Sequence, residues 1–516
     1  MKKNILLLSI ALLGLISCDD DYLERAPQSA EATETILGST ETAEMAINGI
    51  CRMMTTQYLG TQGLNGEGTI NIWYGDATGN DAQRCNQTGW APLWNSTYHL
   101  NTNSTYLVYP WYYYYKVIAN ANGVICNIDE ATGPDEDKAF LKAQALTFRA
   151  YSFYRLAELY GRRWSDEQGA GSGIILRIDQ STGDQPLATL AETYQQIYAD
   201  LDEAISLFQS SGKNRGSDEF YKPNLDVAYA VYARAALTRE DWANAAKYAQ
   251  MARQGHALMS VAQYNDGFHT PNNEWIWGVY EASDQTLYYY GLFAYLASDA
   301  SSSMQRTYPM AISKELIDQI PETDTRRNLF LVPTAEEWAA CNAAGNSVAG
   351  KDGAKTLYDR AFAEYGARLY STSLIYGYMH FKFLVDFQPG GGSFNLMRAS
   401  EMYYIEAEAD CHLNQDAQAQ QLLYDVTSRF DAAYTKSTKT GNDLLEEVKL
   451  YRRFDLWGEG RNWFDYKRWG QPIVRKSIAD GGSWHTQFAV TIKPEDGNNW
   501  TWAIPIKESD YNDLVN

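Results

Sequence analysis

The sequence predicts a mainly α-helical protein in which an array of paired helices is interrupted by an irregular, loop-rich insertion containing short strands. Three observations carry this. Long stretches repeat apolar residues at the three- and four-residue spacing of a buried helix face. Helix pairs, the first of them rich in Ala, occur on both sides of the middle of the chain, and between them residues 260–395 replace helical periodicity with β-like runs and clusters of Gly, Ser and Tyr.

Taken in order, residues 1–17 read as an export signal. Lys2 and Lys3 precede an apolar run from Ile5 to Ile16, shorter than the roughly 20 apolar residues a membrane span needs. Residues 18–38 follow as anchor and linker, and 39–259 as an N-terminal helical part with a loop-like stretch at 60–105 rich in Gly, Asn and Trp. In PWYYYYKVIANAN (110–122) a helix is expected from near Trp111, because Pro suits a first helical turn. Four consecutive Tyr at 100° per residue point all around the axis, so they predict a core wall and not a ligand platform; Trp111, Tyr115 and Ile118 share its stripe. Further helices are expected at 137–161, with Leu141, Ala145, Phe148, Leu156 and Leu159 at helical spacing and a stop at Gly161, and at 190–208.

Residues 224–254 predict two helices joined near Arg239 to Trp242, with Ala245, Ala249 and Ala252 allowing close approach of the axes. The Asp-Trp before the second helix and the length of the pair resemble a tetratricopeptide unit, a repeat of about 34 residues that buries its faces by stacking on neighbours. A second pair at 397–430, turning near Gln415, and a helix at 442–457 belong to a C-terminal part, 396–516. In the insertion, EWIWGVY reads as a strand, and TLYYYGLFAY and PGGGSFN as loops.

Composition excludes several functions. A net charge of −21 and a pI near 4.8 disfavour nucleic acid and anionic lipid, which need clustered Lys and Arg, and suit neutral or cationic ligands better. After Cys18 five cysteines remain, at 51, 85, 126, 341 and 411, with no CxxC, so neither a zinc knuckle nor a disulfide scaffold is indicated. There is no HExxH, GxSxG, GxxxxGK[ST] or GxGxxG, and the six histidines lack ligand spacing. No catalytic residue, metal or cofactor is therefore expected, but the absence of these motifs alone does not exclude an enzyme. Glu459, Arg461, Asp465 and Arg468, interleaved with Trp457, Trp463 and Trp469, predict a buried structural ion-pair network in preference to an acid/base site.

Leu15-Ile16-Ser17-Cys18 resembles a bacterial lipobox, in which Cys18 becomes the acylated first residue, and Asp19 to Asp21 resemble a surface-export signal. With LTFRAYSFYRLAELYG, the Ala-rich pair, RASEMYYIEAEADCHLNQ, YRRFDLWGEGRNWFDYKRWGQP and WAIPIKESDYN in that order, the chain resembles the SusD/RagB family of outer-membrane nutrient-binding lipoproteins over nearly its whole length. Asp455, Trp457 and Tyr466 stand where that family usually has Glu, Phe and Leu, which marks a divergent branch. The resemblance implies a lipid-anchored outer-membrane protein, exposed at the cell surface, that binds oligosaccharides and delivers them to a SusC-like TonB-dependent transporter. The alternative keeps the fold and gives it oligopeptides; a glycoside hydrolase or a bare helical scaffold rank behind both.

Ligand contacts are expected in loops presented by the rigid array. The stretch 71–101 holds Trp73, Trp90, Trp94 and Tyr98, interleaved with Asp76, Asp81, Arg84 and Asn95. Flat rings stack on sugar faces or peptide side chains, while Asp, Asn and Arg read hydroxyls or amides. Tyr288, Tyr289 and Tyr290 form the expected second wall.

Overall fold

The computed structural model describes residues 37–61, 63–86, 88–283, 291–343, 348–349, 355–493 and 500–515. The predicted export signal, Cys18, the acidic run and Tyr288 to Tyr290 lie outside the described residues. Ten helices form the frame: α1 (Thr40–Met53), α2 (Thr105–Asn127), α3 (Asp135–Tyr160), α4 (Leu190–Ser211), α5 (Leu225–Thr238), α6 (Trp242–Ala252), α7 (Ala399–His412), α8 (Asp416–Thr427), α9 (Gly441–Asp455) and α10 (Asn462–Trp469). Successive helices pack on one another from α2 through α8, and α9 packs on both α7 and α8. The array is continuous across the insertion, since α6 packs directly on α7. None of the described helices is long and apolar enough to cross a membrane.

Local chemistry places the ends of these helices. Ser39 and Thr42 form a capping box on α1, Thr189 and Glu192 one on α4, and the Asn224 and Asp241 side chains accept the Val227 and Asn244 N–H groups at the starts of α5 and α6. The Asp-Trp read from the sequence is thus the N-terminal cap of α6. The central helix α3 is buried all round from Ala143 onward, so its charged side chains must be paired: Arg149 forks onto Asp200, and Arg155 meets Glu158 at 2.5 Å.

The opening of α2 differs from expectation. It starts at Thr105, capped by Ser104, so Pro110 lies inside the helix. Proline supplies no N–H, and the Tyr106 carbonyl it would have satisfied instead accepts the Tyr74 hydroxyl at 2.6 Å. Tyr160 repairs the neighbouring break, donating to the Leu107 carbonyl at 2.5 Å and accepting from the Trp111 N–H at 3.1 Å. As expected of a core wall, Trp111, Tyr113 and Tyr114 are buried; Tyr112, at 41% exposure, is the one of the four Tyr that faces out.

The insertion is held by two antiparallel ribbons. Strands β1 (Ala82–Arg84) and β3 (Met310–Ile312) tie it to the N-terminal loop region, with Arg84 opposite Met310. Strands β2 (Trp275–Val279) and β4 (Phe394–Arg398) join its two ends, with Trp275 opposite Arg398. EWIWGVY is therefore a strand, as its pattern predicts. The insertion also contains helices over Ala335–Ala343 and Lys355–Tyr365, which the surrounding Gly-rich sequence obscures.

The acidic and basic residues of the C-terminal motif form the predicted network. Arg398 bonds Glu274 (2.8 Å), Asp455 (2.9 Å) and Glu459 (2.7 Å); Lys382 also meets Glu459 at 2.6 Å. Arg452 pairs with Asp465, Arg468 with Asp465 and Glu408, and Arg461 with Glu158 of α3. Burial opposes ionisation of Asp465, but Arg452 and Arg468 outweigh it and hold the carboxyl at about 2. The five cysteines at 51, 85, 126, 341 and 411 are free thiols.

Candidate ligand-binding site

Residues 60–105 are less loop-like than their composition suggests. They fold into a helix at Gly66–Ile70, a π-helical turn at Asn71–Asp76, strand β1, and short helices at Ala91–Trp94 and Tyr98–Leu100. The π-turn is buried throughout. Trp73 sits at its centre, with the rings of Trp90 at 5.5 Å, Tyr106 at 5.5 Å and Tyr295 at 5.4 Å. Gly63, at φ +89°, makes room for this cluster: a Cβ there would lie 2.6 Å from the Tyr295 hydroxyl oxygen.

The rings are graded from inside to outside. Trp73 and Tyr295 are fully buried and Trp94 is 1% exposed, whereas Trp90, Tyr98 and Tyr106 are half-buried. Trp90 lies 6.1 Å from both Trp94 and Tyr295, and Tyr98 stacks on Tyr106 at 5.2 Å with ring planes 15° apart. The outer rings are thus backed by fully buried inner ones. The Tyr106 hydroxyl is pushed up by burial, against a hydrogen bond with Trp90.

Burial assigns most of the polar candidates to the interior instead, which corrects their expected role as ligand readers. Asp76 is 1% exposed and accepts the Gly460 N–H at 2.6 Å; burial raises its pKa to about 8. Asp81 receives the fork of Arg453 at 2.8 and 2.6 Å, and its backbone carbonyl accepts the Trp457 indole N–H. Arg84 donates to the Tyr295 and Tyr308 carbonyls with its guanidinium 5.1 Å from the Trp94 ring centre, and burial lowers its pKa to about 10. Asn95 donates to the Gln487 carbonyl at 2.7 Å. Trp73 and Trp94 are core residues for the same reason. Of the predicted contacts among the described residues, Trp90, Asn95 and Tyr98 keep partial exposure.

Two rings were missed. Tyr106 was hidden by placing the helix start after it, and Tyr295 comes from the insertion, more than two hundred positions away, with no local signal that it would seat against Trp73. Gln487 was missed likewise: it clamps the Thr88 backbone, accepting its N–H at 3.1 Å, so the C-terminal part braces the Trp90 turn.

Comparison with known proteins places this architecture. Residues 237–512 match the model described as the SusD family, and residues 21–237 match a second model described as starch-binding associating with outer membrane. The chain belongs to the SusD family. A SusD-like protein of Formosa agariphila is 24% identical to this SusD-family chain over 507 residues, covering 91% of it and 90% of the relative. Among solved structures, a SusD-like carbohydrate binding protein from Bacteroides vulgatus superposes with a TM-score of 0.76 at 23% identity, covering 93% of this chain and 97% of its own. A SusD superfamily protein from Bacteroides thetaiotaomicron gives 0.73 at 22% identity, covering 93% and 99%. At these identities the superpositions establish the SusD fold.

Proposed function

We propose that this SusD-family protein is a non-catalytic, lipid-anchored outer-membrane protein that captures oligosaccharides through the Trp90, Tyr98 and Tyr106 rings and delivers them to a SusC-like TonB-dependent transporter. The observation that carries this reading is the graded cluster itself: three half-exposed rings held in place by buried Trp73, Trp94 and Tyr295. Such rings offer apolar faces to sugar C–H surfaces at little entropic cost, because their conformations are already fixed. Family membership and the lipobox-like sequence ending at Cys18 support the location. The description of the model matched by residues 21–237 and the carbohydrate-binding neighbour support a glycan as the ligand class.

Oligosaccharide is favoured over oligopeptide because the charged groups that would read peptide backbones are buried in the interior, Asp81 paired with Arg453 and Arg84 bonded through Nη1 to two carbonyls. Capture for handover calls for micromolar to millimolar affinity, roughly −8 to −4 kcal/mol. Incubating the purified protein with a glycan panel and a peptide mixture tests the reading. Selective glycan retention with no new reducing ends is expected. Retention of peptides alone, or release of new reducing ends, would contradict it.

A further inference from the structure

A second groove, sharing no residue with the Trp90 cluster, has walls fixed by internal bonds and polar groups left over. It has a volume of about 500 Å³ and lies between the 214–226 segment, the turn after α6 and the approach to β2. That volume falls within the roughly 300–1,000 Å³ of small-molecule sites. Its lining includes Phe220 and Trp275 together with Asn214, Ser217, Asn272 and Asn273.

The walls are locked from behind. Arg215 donates to the Phe220 and Lys222 carbonyls at 3.1 and 2.6 Å and to the Ile276 carbonyl at 2.7 Å, which fixes the 215–222 segment to β2. His256 bridges the far side, 3.2 Å from both Asp226 Oδ2 and the Asn273 carbonyl. Asn214 Oδ1 accepts the Arg215 N–H and the Asn224 amide, and Asn272 Oδ1 accepts the Glu274 N–H. Each spends its carbonyl oxygen in this way and keeps its amide N–H donors for an occupant. A ring strip leads out of the groove: Phe220 lies 5.7 Å from Tyr221, and Tyr221 lies 5.6 Å from Tyr280, which is 49% exposed. Asp218 and Asp226 supply the acidic groups of the lining; Asp226 is engaged by His256, and the Arg215 guanidinium is engaged by backbone carbonyls.

We infer that this groove and the Phe220–Tyr221–Tyr280 strip form a second binding surface for an uncharged, polyhydroxylated chain, engaging a polysaccharide at a separate point from the Trp90 rings. Amide donors at fixed positions read hydroxyls, and the strip stacks on ring faces. Two weak contacts on one long ligand raise overall affinity without either contact being tight, which suits capture followed by release. The inference rests on the glycan reading above.

Affinity electrophoresis through gels containing starch, xyloglucan, arabinoxylan or galactomannan tests both readings. Tyr280→Ala and Asn273→Ala alter exposed side chains, the second a groove-lining amide that makes no internal side-chain hydrogen bond, so the double variant should fold as the parent does. For the polysaccharide that retards the parent, the dissociation constant of the double variant is expected to rise roughly three- to tenfold, the loss of one aromatic stack and one hydrogen bond. A double variant retarded as strongly as the parent would overturn the groove and leave the proposed function standing. A parent retarded by none of the four would overturn both.

Discussion

Trp90 and Trp94 are one helical turn apart, yet they do different work. Trp94 is 1% exposed, with Arg84 over its ring and Phe488 at 5.4 Å, so Trp94→Ala removes a filled core volume. A loss of about 3–5 kcal/mol in chemical denaturation is expected; a loss under about 1 kcal/mol would mean that the ring does not pack as described. Asp76 makes a prediction of opposite kind. Its pKa rises from the ordinary 3.8 to about 8 because burial disfavours the charged form. A raised folded-state value holds the proton more tightly than the unfolded chain does, so this contribution to stability is fully present below pH 4 and is lost as pH rises towards 8. Asp76→Asn should therefore flatten the fall in unfolding free energy between pH 5 and pH 8 by up to about one proton equivalent. Identical slopes for parent and variant would contradict the assignment. Neither residue could have been sorted from the sequence, because a Trp or Asp in a Gly- and Asn-rich stretch has the same local signature whether it lines a ligand site or fills a core.

At the scale of elements, α2 shows what periodicity can and cannot deliver. The core wall at Trp111, Tyr113 and Tyr114 follows from 100° spacing alone, whereas the helix start does not, because Pro110 imitates a first turn. What lets the helix run through the proline is a pair of distant hydroxyls, Tyr74 on Tyr106 and Tyr160 on Leu107. Tyr160→Phe leaves the Leu107 carbonyl and the Trp111 N–H unpaired in a buried setting, and about 1–3 kcal/mol of destabilisation is expected by urea unfolding. A neutral substitution would show that water or a shifted backbone replaces the hydroxyl. The helix pairs at 225–252 and 399–427 were legible for the opposite reason: their apolar faces and turns, and in the first pair the Asn224 and Asp241 caps, all lie within a few residues of one another. The ribbons β1–β3 and β2–β4 join segments too distant in sequence for their pairing to be read.

For the whole molecule, the C-terminal motif is the junction at which α3, α7, α9, α10 and the insertion meet through paired charges. Arg398 is 1% exposed and faces Glu274, Asp455 and Glu459, so Arg398→Met leaves three buried carboxylates short of a cation. Removing one partner of a buried ion pair typically costs about 3–5 kcal/mol, and that loss is expected here in the unfolding free energy. The motif was recognisable as a network because its alternating charges sit among three Trp; its partners Glu158, Glu274 and Lys382 were not, since nothing near them in sequence marks them. This network ties the scaffold together through buried ion pairs, and in the proposed function that scaffold holds the partly buried rings that grip the ligand. Isothermal titration of the parent and of Trp90→Ala with the oligosaccharide that the parent retains tests that claim most directly. The account predicts at least about tenfold weaker binding for Trp90→Ala, a loss of about 1.4 kcal/mol, with the cooperative unfolding transition retained; equal affinity in parent and variant would contradict it.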